Sequence, residues 1–146
     1  AQGVRGLRIG VPRRYFFDQL EDDVAVAVDA AIEQLQRLGA RLSSVELAGV
    51  DEGLDGTFAY VLAEAQAIHA RSLRERPQDF GADVLDILSS YTPGANELLS
   101  GLRAVDALAA SMRTALETVD VLLTPTTPIT ATRIGEERVR YGNIEE

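Results

Sequence analysis

An α/β fold built on a mainly parallel sheet, with helices on both faces, is what this sequence predicts, and three observations carry the prediction. Two short apolar runs, Leu7-Arg8-Ile9-Gly10-Val11 and Leu42-Ser43-Ser44-Val45-Glu46-Leu47, bracket an alanine-rich segment of helical spacing, the order of a β-α-β unit. Three further helical stretches then lead into Val119-Asp120-Val121-Leu122-Leu123, nearly continuous in apolar residues as a strand covered on both faces requires. Pro12 and Pro125 close the first and third runs, and proline cannot donate to a central ladder.

The first strand is predicted over 6–11, with residues 7, 9 and 11 on one face. Acids at 18, 21, 22 and 23 suit the positive end of a helix. Val24, Val28, Ala31, Ile32, Leu35 and Leu38 then recur at three- and four-residue steps, and Gly39 supplies a left-handed stop, so a helix is predicted over 22–38. The second strand, 41–47, follows directly, reached by a right-handed crossover. Leu54, Phe58, Val61, Leu62, Ala65, Ile68 and His69 mark the inner face of a helix over 52–75 that stops near Pro77. A shorter helix is predicted over 79–89, through Phe80, Val84, Ile87 and Leu88. Thr92-Pro93 reads as N-cap and first residue of a long helix burying Leu98, Leu102, Val105, Leu108, Met112 and Leu116. The third strand is 119–123. In the sheet, 6–11 is expected in the centre, flanked by 41–47 and 119–123, all parallel. Residues 1–128 are expected to form one partial α/β domain and 129–146 an irregular, mobile tail.

Composition removes several function classes. The 146 residues contain no cysteine, so neither a disulfide framework nor thiolate chemistry is available, and the balance leans toward the cytoplasm. A net charge of −9 argues against a nucleic-acid surface on this segment. No apolar run is long enough for a membrane span. All 14 basic residues are arginine and none is lysine, and a guanidinium, always protonated, cannot serve as a base. The start at Ala1 and the charged end at Glu146 read as the ends of an excised segment.

Few residues offer chemistry. Ser43-Ser44 and Ser89-Ser90 lack flanking glycines that would let the backbone form an oxyanion hole, and no lysine activates them, so no catalytic residue is assigned in this chain. His69, the sole histidine, falls on the apolar stripe of its helix and reads as a packed core histidine, and no metal site or cofactor is expected. Arg71 shares a helical face with Glu64 and Ile68. It either holds a carboxylate or amide substrate or belongs to a structural ion pair. Thr124-Pro125-Thr126-Thr127-Pro128 places three hydroxyls between two ring-fixed φ angles at the end of a buried strand. Such a loop either presents donors to a ligand or merely ends the strand.

Gly6-Leu7-Arg8-Ile9-Gly10-Val11-Pro12, Leu38-Gly39-Ala40, Glu64-Ala65, Val119 through Pro128 and Ile134-Gly135-Glu136 occur in this order over most of the chain, and in that order they resemble the amidase signature family. The resemblance implies part of an α/β/α sandwich. It implies an enzyme that hydrolyses carboxamides through an acyl-enzyme, using a serine nucleophile, a cis-bonded serine and a lysine base. Those three residues precede the part matched here, and no position of this sequence corresponds to them. Arg71 matches an arginine that binds the substrate carboxylate in amidotransferase-like members, but Ile68-His69-Ala70-Arg71-Ser72 departs from their Asn-Leu-Ala-Arg-Tyr pattern. A general amidase is therefore favoured over the A-subunit of aspartyl/glutamyl-tRNA amidotransferase, and a non-catalytic binding module is the third reading. Arg71, Thr124, Thr126 and Thr127 are the substrate-pocket candidates. The expected partners are a small-molecule amide in the parent and, for the isolated chain, a second copy held through the face uncovered by truncation.

Overall fold

A computed structural model describes residues 3–136, 138–141 and 144–145, with 140, 141, 144 and 145 described through their backbone. The chain divides into two compact units, Ala1–Leu47 with Ser111–Glu146, and Ala48–Ala110.

The first unit holds β1 (Arg8–Val11), α1 (Asp22–Arg37), β2 (Arg41–Ser44) and β3 (Val121–Leu122). The sheet order is β2-β1-β3 and both pairings are parallel, so the strand expected in the centre is there. The register sets Arg8 beside Arg41 and Ile9 beside both Leu42 and Val121. Each strand is shorter than predicted, and in β1 and β3 a neighbouring structure claims the first residues. Gly6 turns at φ 82° and gives its N–H to the Gly39 carbonyl at 2.7 Å, so β1 begins only at Arg8. Val119 still donates to Ala115 in the preceding helix at 3.3 Å, which delays β3. The last rungs are Val45 N–H to Val11 O at 3.3 Å and Leu123 N–H to Gly10 O at 2.9 Å.

Gly10 is small for a packing reason. A Cβ placed there would lie 2.9 Å from Val45 Cγ1 and 3.0 Å from Leu122 Cδ2 and Val119 Cγ2, closer than side chains tolerate. Ile9, Val11, Leu47 and Val119 are buried in this unit, and among the described residues Pro12 is the largest fully buried side chain. α1 turns Val24, Val28, Ile32 and Leu35 inward, as their spacing predicts, while Ala31 is exposed on the helix and Leu38 beyond its end. Its stop is a Schellman motif: Ala40 N–H reaches Leu35 O at 3.0 Å and Gly39 N–H reaches Gln36 O at 2.9 Å, with Gly39 at φ 94°. Within the tail, Arg140–Tyr141 and Ile144–Glu145 pair antiparallel as β4 and β5.

The second unit contains α2 (Val50–Glu75), a 3₁₀ turn at Pro77–Asp79, α3 (Ala82–Ser90) and the larger part of α4 (Ala95–Thr118). The predicted inner face of α2 is wrong. The buried positions are Val50, Gly53, Gly56, Ala59 and Leu62, whereas Leu54, Phe58, Val61 and Ile68 are exposed. Close backbone approach decides this face. A Cβ on Gly56 would stand 2.5 Å from the Gly101 carbonyl oxygen of α4, and one on Gly53 would stand 2.6 Å from Leu108 Cδ2. The face of small residues therefore wins over the face of large ones. The stripe of α4 is borne out in part: Leu108 is buried and Leu98, Val105 and Met112 half-buried as predicted, Leu102 and Leu116 are exposed, and Gly101 and Ala115, each seven residues from Leu108, are buried beside them.

α4 also starts later than Thr92-Pro93 predicts. Gly94 is its N-cap, accepting from Leu98 N–H at 2.9 Å and donating its own N–H to Glu97 Oε2 at 3.3 Å. The carboxylate three residues in supplies half of a capping box, which the Thr92 hydroxyl would have had to outcompete. The Tyr91 hydroxyl donates to the same carboxylate, and that hydrogen bond, followed by burial, raises the phenol above its ordinary range. The predicted helix over 79–89 is divided into the turn and α3 by Gly81, whose backbone is extended. Gln66 Nε2 ties α2 to this region by donating to the carbonyls of Leu88 at 2.9 Å and Tyr91 at 2.5 Å.

Candidate functional site

The Thr124–Pro128 loop leaves the carboxyl end of β3, next to the central strand. Open α/β sheets bind ligands at such strand ends. Pro125 and Pro128 are half-buried, and Thr124, Thr126 and Thr127 are exposed, so the prolines face inward while the threonines stand toward solvent. Thr127 Oγ1 donates to the Ile129 carbonyl at 2.9 Å, which stiffens the turn from within.

The loop is anchored at both ends. Before it, Leu123 N–H bonds Gly10 O. After it, Glu21 takes hold of the chain: its backbone N–H donates to Pro128 O at 2.9 Å, and its Oε2 accepts from Thr130 N–H at 2.8 Å and Thr130 Oγ1 at 3.0 Å. Glu21 is the N-cap of α1 yet makes no side-chain cap bond to its own helix, because the carboxylate is engaged by a residue 109 positions away. Sequence reasoning took Glu21 for one acid among several complementing the helix dipole. The absence of Ser, Thr, Asp or Asn at the cap position was the available signal that this side chain had another task.

A second set of contacts brings β1 and the approach to β3 together. Arg8 Nε and a terminal nitrogen donate to Asp120 Oδ1 at 3.1 and 2.6 Å, and Arg8 N–H donates to Asp120 Oδ2 at 2.8 Å. The Arg8 side-chain hydrogen bonds, then its backbone N–H, hold the Asp120 carboxyl below the usual carboxylate range.

The other candidates sit on other elements. Arg71 extends from α2 with its side chain 81% exposed and bonds Glu75, one turn on, through Nε at 2.9 and 3.1 Å. Glu64, expected on its face, instead accepts from the Tyr60 hydroxyl, whose acidity it lowers. His69 is not a core histidine. It is exposed and meets Phe80 edge to face, ring centroids 5.7 Å apart, because α2 buries its small-residue face. Ser43 and Ser44 border an open cleft of about 210 Å³ with Val11, Arg13, Ile32, Gln36 and Leu42. Ser90 Oγ donates to Asp86 Oδ1 at 3.0 Å, one turn back on the exposed surface of α3. Among the described residues no cluster of His, Asp or Glu could hold a metal ion.

These features define a class, a parallel α/β segment that presents a braced hydroxyl loop at the carboxyl edge of its sheet. The sequence profile of the Amidase family matches residues 1–145, and the chain belongs to that family. An amidase from Pseudomonas putida is 41% identical over 137 residues, which cover 93% of this chain and 29% of that protein. The A-subunit of glutamyl-tRNA(Gln) amidotransferase from Pelobacter propionicus is 33% identical, over 92% of this chain and 33% of its own length. A crystal structure of an amidase superposes with a TM-score of 0.83 at 27% identity, covering 99% of this chain and 33% of that one. An inhibitor-bound vestigial protein complex, described as revealing the evolutionary origins of an s-triazine catabolic enzyme, gives 0.85 at 27% identity, over 99% and 31%. The chain thus spans about a third of the length of the curated relatives it matches. No helix among the described residues is long and apolar enough to cross a membrane.

Proposed function

We propose that this chain is the part of a carboxamide hydrolase that builds substrate-pocket wall, and that the serine nucleophile, the cis-bonded serine and the lysine base lie in the remainder of the polypeptide. The observation that carries this reading is the braced loop at the carboxyl end of β3, where Thr124, Thr126 and Thr127 stand exposed between two half-buried prolines. Hydroxyls on a stiff loop orient an amide without conformational search, the condition for productive binding. A neutral amide is the favoured substrate class, since the Pseudomonas putida amidase is the more similar of the two relatives and the residues around Arg71 depart from the amidotransferase-like pattern. The A-subunit of a tRNA amidotransferase is the second reading, supported by the Pelobacter propionicus relative.

Two experiments test the proposal. The purified 146-residue chain is expected to hydrolyse neither benzamide nor L-glutamine and to take no label from a fluorophosphonate, because it contains no lysine to serve as the base of that mechanism. Turnover abolished by Ser43→Ala, Ser44→Ala, Ser89→Ala or Ser90→Ala would place the nucleophile within it. In a full-length enzyme carrying this segment, Arg71→Lys is the test of carboxylate recognition. If Arg71 binds substrate, KM rises for carboxylate-bearing amides alone, by about 10- to 150-fold in kcat/KM, the worth of a charged hydrogen bond. If Arg71 serves only its ion pair with Glu75, both substrate types respond alike. The melting temperature then moves by no more than a degree or two, since exposed pairs one turn apart contribute about 0.3–0.5 kcal/mol.

The proposal extends to partners and place. Leu54, Phe58, Val61, Ala65 and Ile68 repeat at alternating four- and three-residue steps along α2, the spacing of a helix-packing seam. Ile68 is 75% and Phe58 54% exposed. Separated from the rest of the polypeptide, the chain should self-associate through this seam, and the double variant Val61→Glu with Ile68→Glu should sediment as a monomer. Cytoplasmic residence, favoured by the cysteine-free composition, is tested by fractionation.

A further inference from the structure

We infer that Glu21 is a positioning residue for the substrate-facing loop, holding Thr124–Thr127 at the carboxyl edge of the sheet from the start of α1. The inference rests on the reading of that loop as pocket wall.

Within Thr124–Pro128 two prolines fix φ and Thr127 Oγ1 bonds the Ile129 carbonyl, contacts that stiffen the loop without fixing its place on the sheet. The ladder ends with Leu123 N–H on Gly10 O. Beyond that rung the loop would be tethered at one end and free to swing. Glu21 provides the second tether with three hydrogen bonds from one residue, between 2.8 and 3.0 Å: backbone N–H to Pro128 O, and Oε2 to both donors of Thr130. The span between the tethers is short enough that fixing both ends fixes the middle. Glu21 is in turn held by its helix, since its carbonyl accepts Ala25 N–H at 2.9 Å as the first bond of α1, and α1 is seated on the sheet through buried Ile32. The brace therefore runs from the sheet through α1 and Glu21 to the threonines. Helix capping alone does not account for it: a carboxylate at this position would ordinarily turn to the exposed N–H groups of its own first turn, and this one turns away from them.

The test uses a full-length enzyme containing this segment and the variants Glu21→Ala, Glu21→Gln, Thr126→Ala and Thr127→Ala, with benzamide as substrate. Two quantities are read, the amide hydrogen exchange of 124–130 and the separate values of kcat and KM. Glu21→Ala is expected to accelerate exchange at Thr126, Thr127 and Thr130 at least 10-fold and to raise KM at least 5-fold, with kcat changed less than twofold. Glu21→Gln keeps an amide oxygen that accepts from Thr130 and should recover KM to within about 2- to 3-fold of the parent. A purely structural role would lower the melting temperature and the active fraction while leaving KM unmoved. Unchanged exchange at Thr126 and Thr127 in Glu21→Ala overturns the positioning role, and if Thr126→Ala or Thr127→Ala still raises KM, the pocket-wall reading survives it. Faster exchange with KM unmoved in all four variants overturns the pocket-wall reading, and the positioning role falls with it.

Discussion

At the scale of single residues, the sharpest determinants of this chain are positions where a side chain is excluded. Gly56 and Gly101 bring two helix backbones together, and a methyl on Gly56 would press to 2.5 Å against a carbonyl oxygen that cannot rotate away. Gly56→Ala is expected to destabilise the chain by about 1–3 kcal/mol, the usual cost of overpacking, despite alanine's better helix propensity. Urea unfolding measures the shift in midpoint. A loss under 0.5 kcal/mol would mean that the helices part without penalty. Asp120 supplies the pH dependence. Arg8 depresses its folded pKa below the unfolded value, so the pair's contribution is fully present above about pH 4, the unfolded carboxylate value, and is lost as pH falls through the lower folded value. Asp120→Asn should therefore be less stable than the parent at pH 7, with the gap closing toward pH 2. Because both side chains are well exposed, the gap should also narrow in high salt, and thermal melts at pH 7 and pH 3 decide the matter.

At the scale of elements, the sequence was legible wherever one signal acted alone. α1 is legible with four of its six stripe residues inward, Val24, Val28, Ile32 and Leu35, and its Schellman stop follows from Gly39. The long helices are legible, their buried faces only in part: most of the α4 stripe holds, whereas most of the α2 stripe does not. In α2 the large apolar residues and the small ones lie on different sides, and periodicity counts only the large. Which side is buried is settled by a partner helix that can touch backbone to backbone, information held in Gly101 and Leu108 rather than in α2 itself. The start of α4 was missed for a related reason: Thr92-Pro93 is a good local cap, but Glu97 offers its carboxylate to Gly94. Removing that acceptor with Glu97→Ala should cost about 0.5–1 kcal/mol and return the Tyr91 phenol toward its ordinary acidity, since Glu97 is the first cause of its rise. A spectrophotometric tyrosine titration reads the second effect, and an unchanged phenol would place the cause elsewhere.

At the scale of the whole molecule, the parallel order β2-β1-β3 could be foreseen from a β-α-β step followed by a long helical excursion. The loop after β3 was also visible in the sequence, through its threonines and prolines. Its anchor was not, because Glu21 and Thr130 belong to no shared periodicity and are joined only once α1 and β3 stand beside the same central strand. The arrangement of that strand has a kinetic meaning as well. Arg8 and Arg41 are 33 residues apart, while Ile9 and Val121 are 112 apart. Closing the larger loop costs about 1 kcal/mol more in chain entropy, from the logarithm of the ratio of lengths. The first two strands should accordingly find each other early, and the third should dock onto a preformed edge. Pulse-labelled exchange during refolding should protect the amides of 41–45 ahead of Leu123, so that the edge bearing the threonine loop is the last part of the sheet to be assembled and, on unfolding, the first to be surrendered.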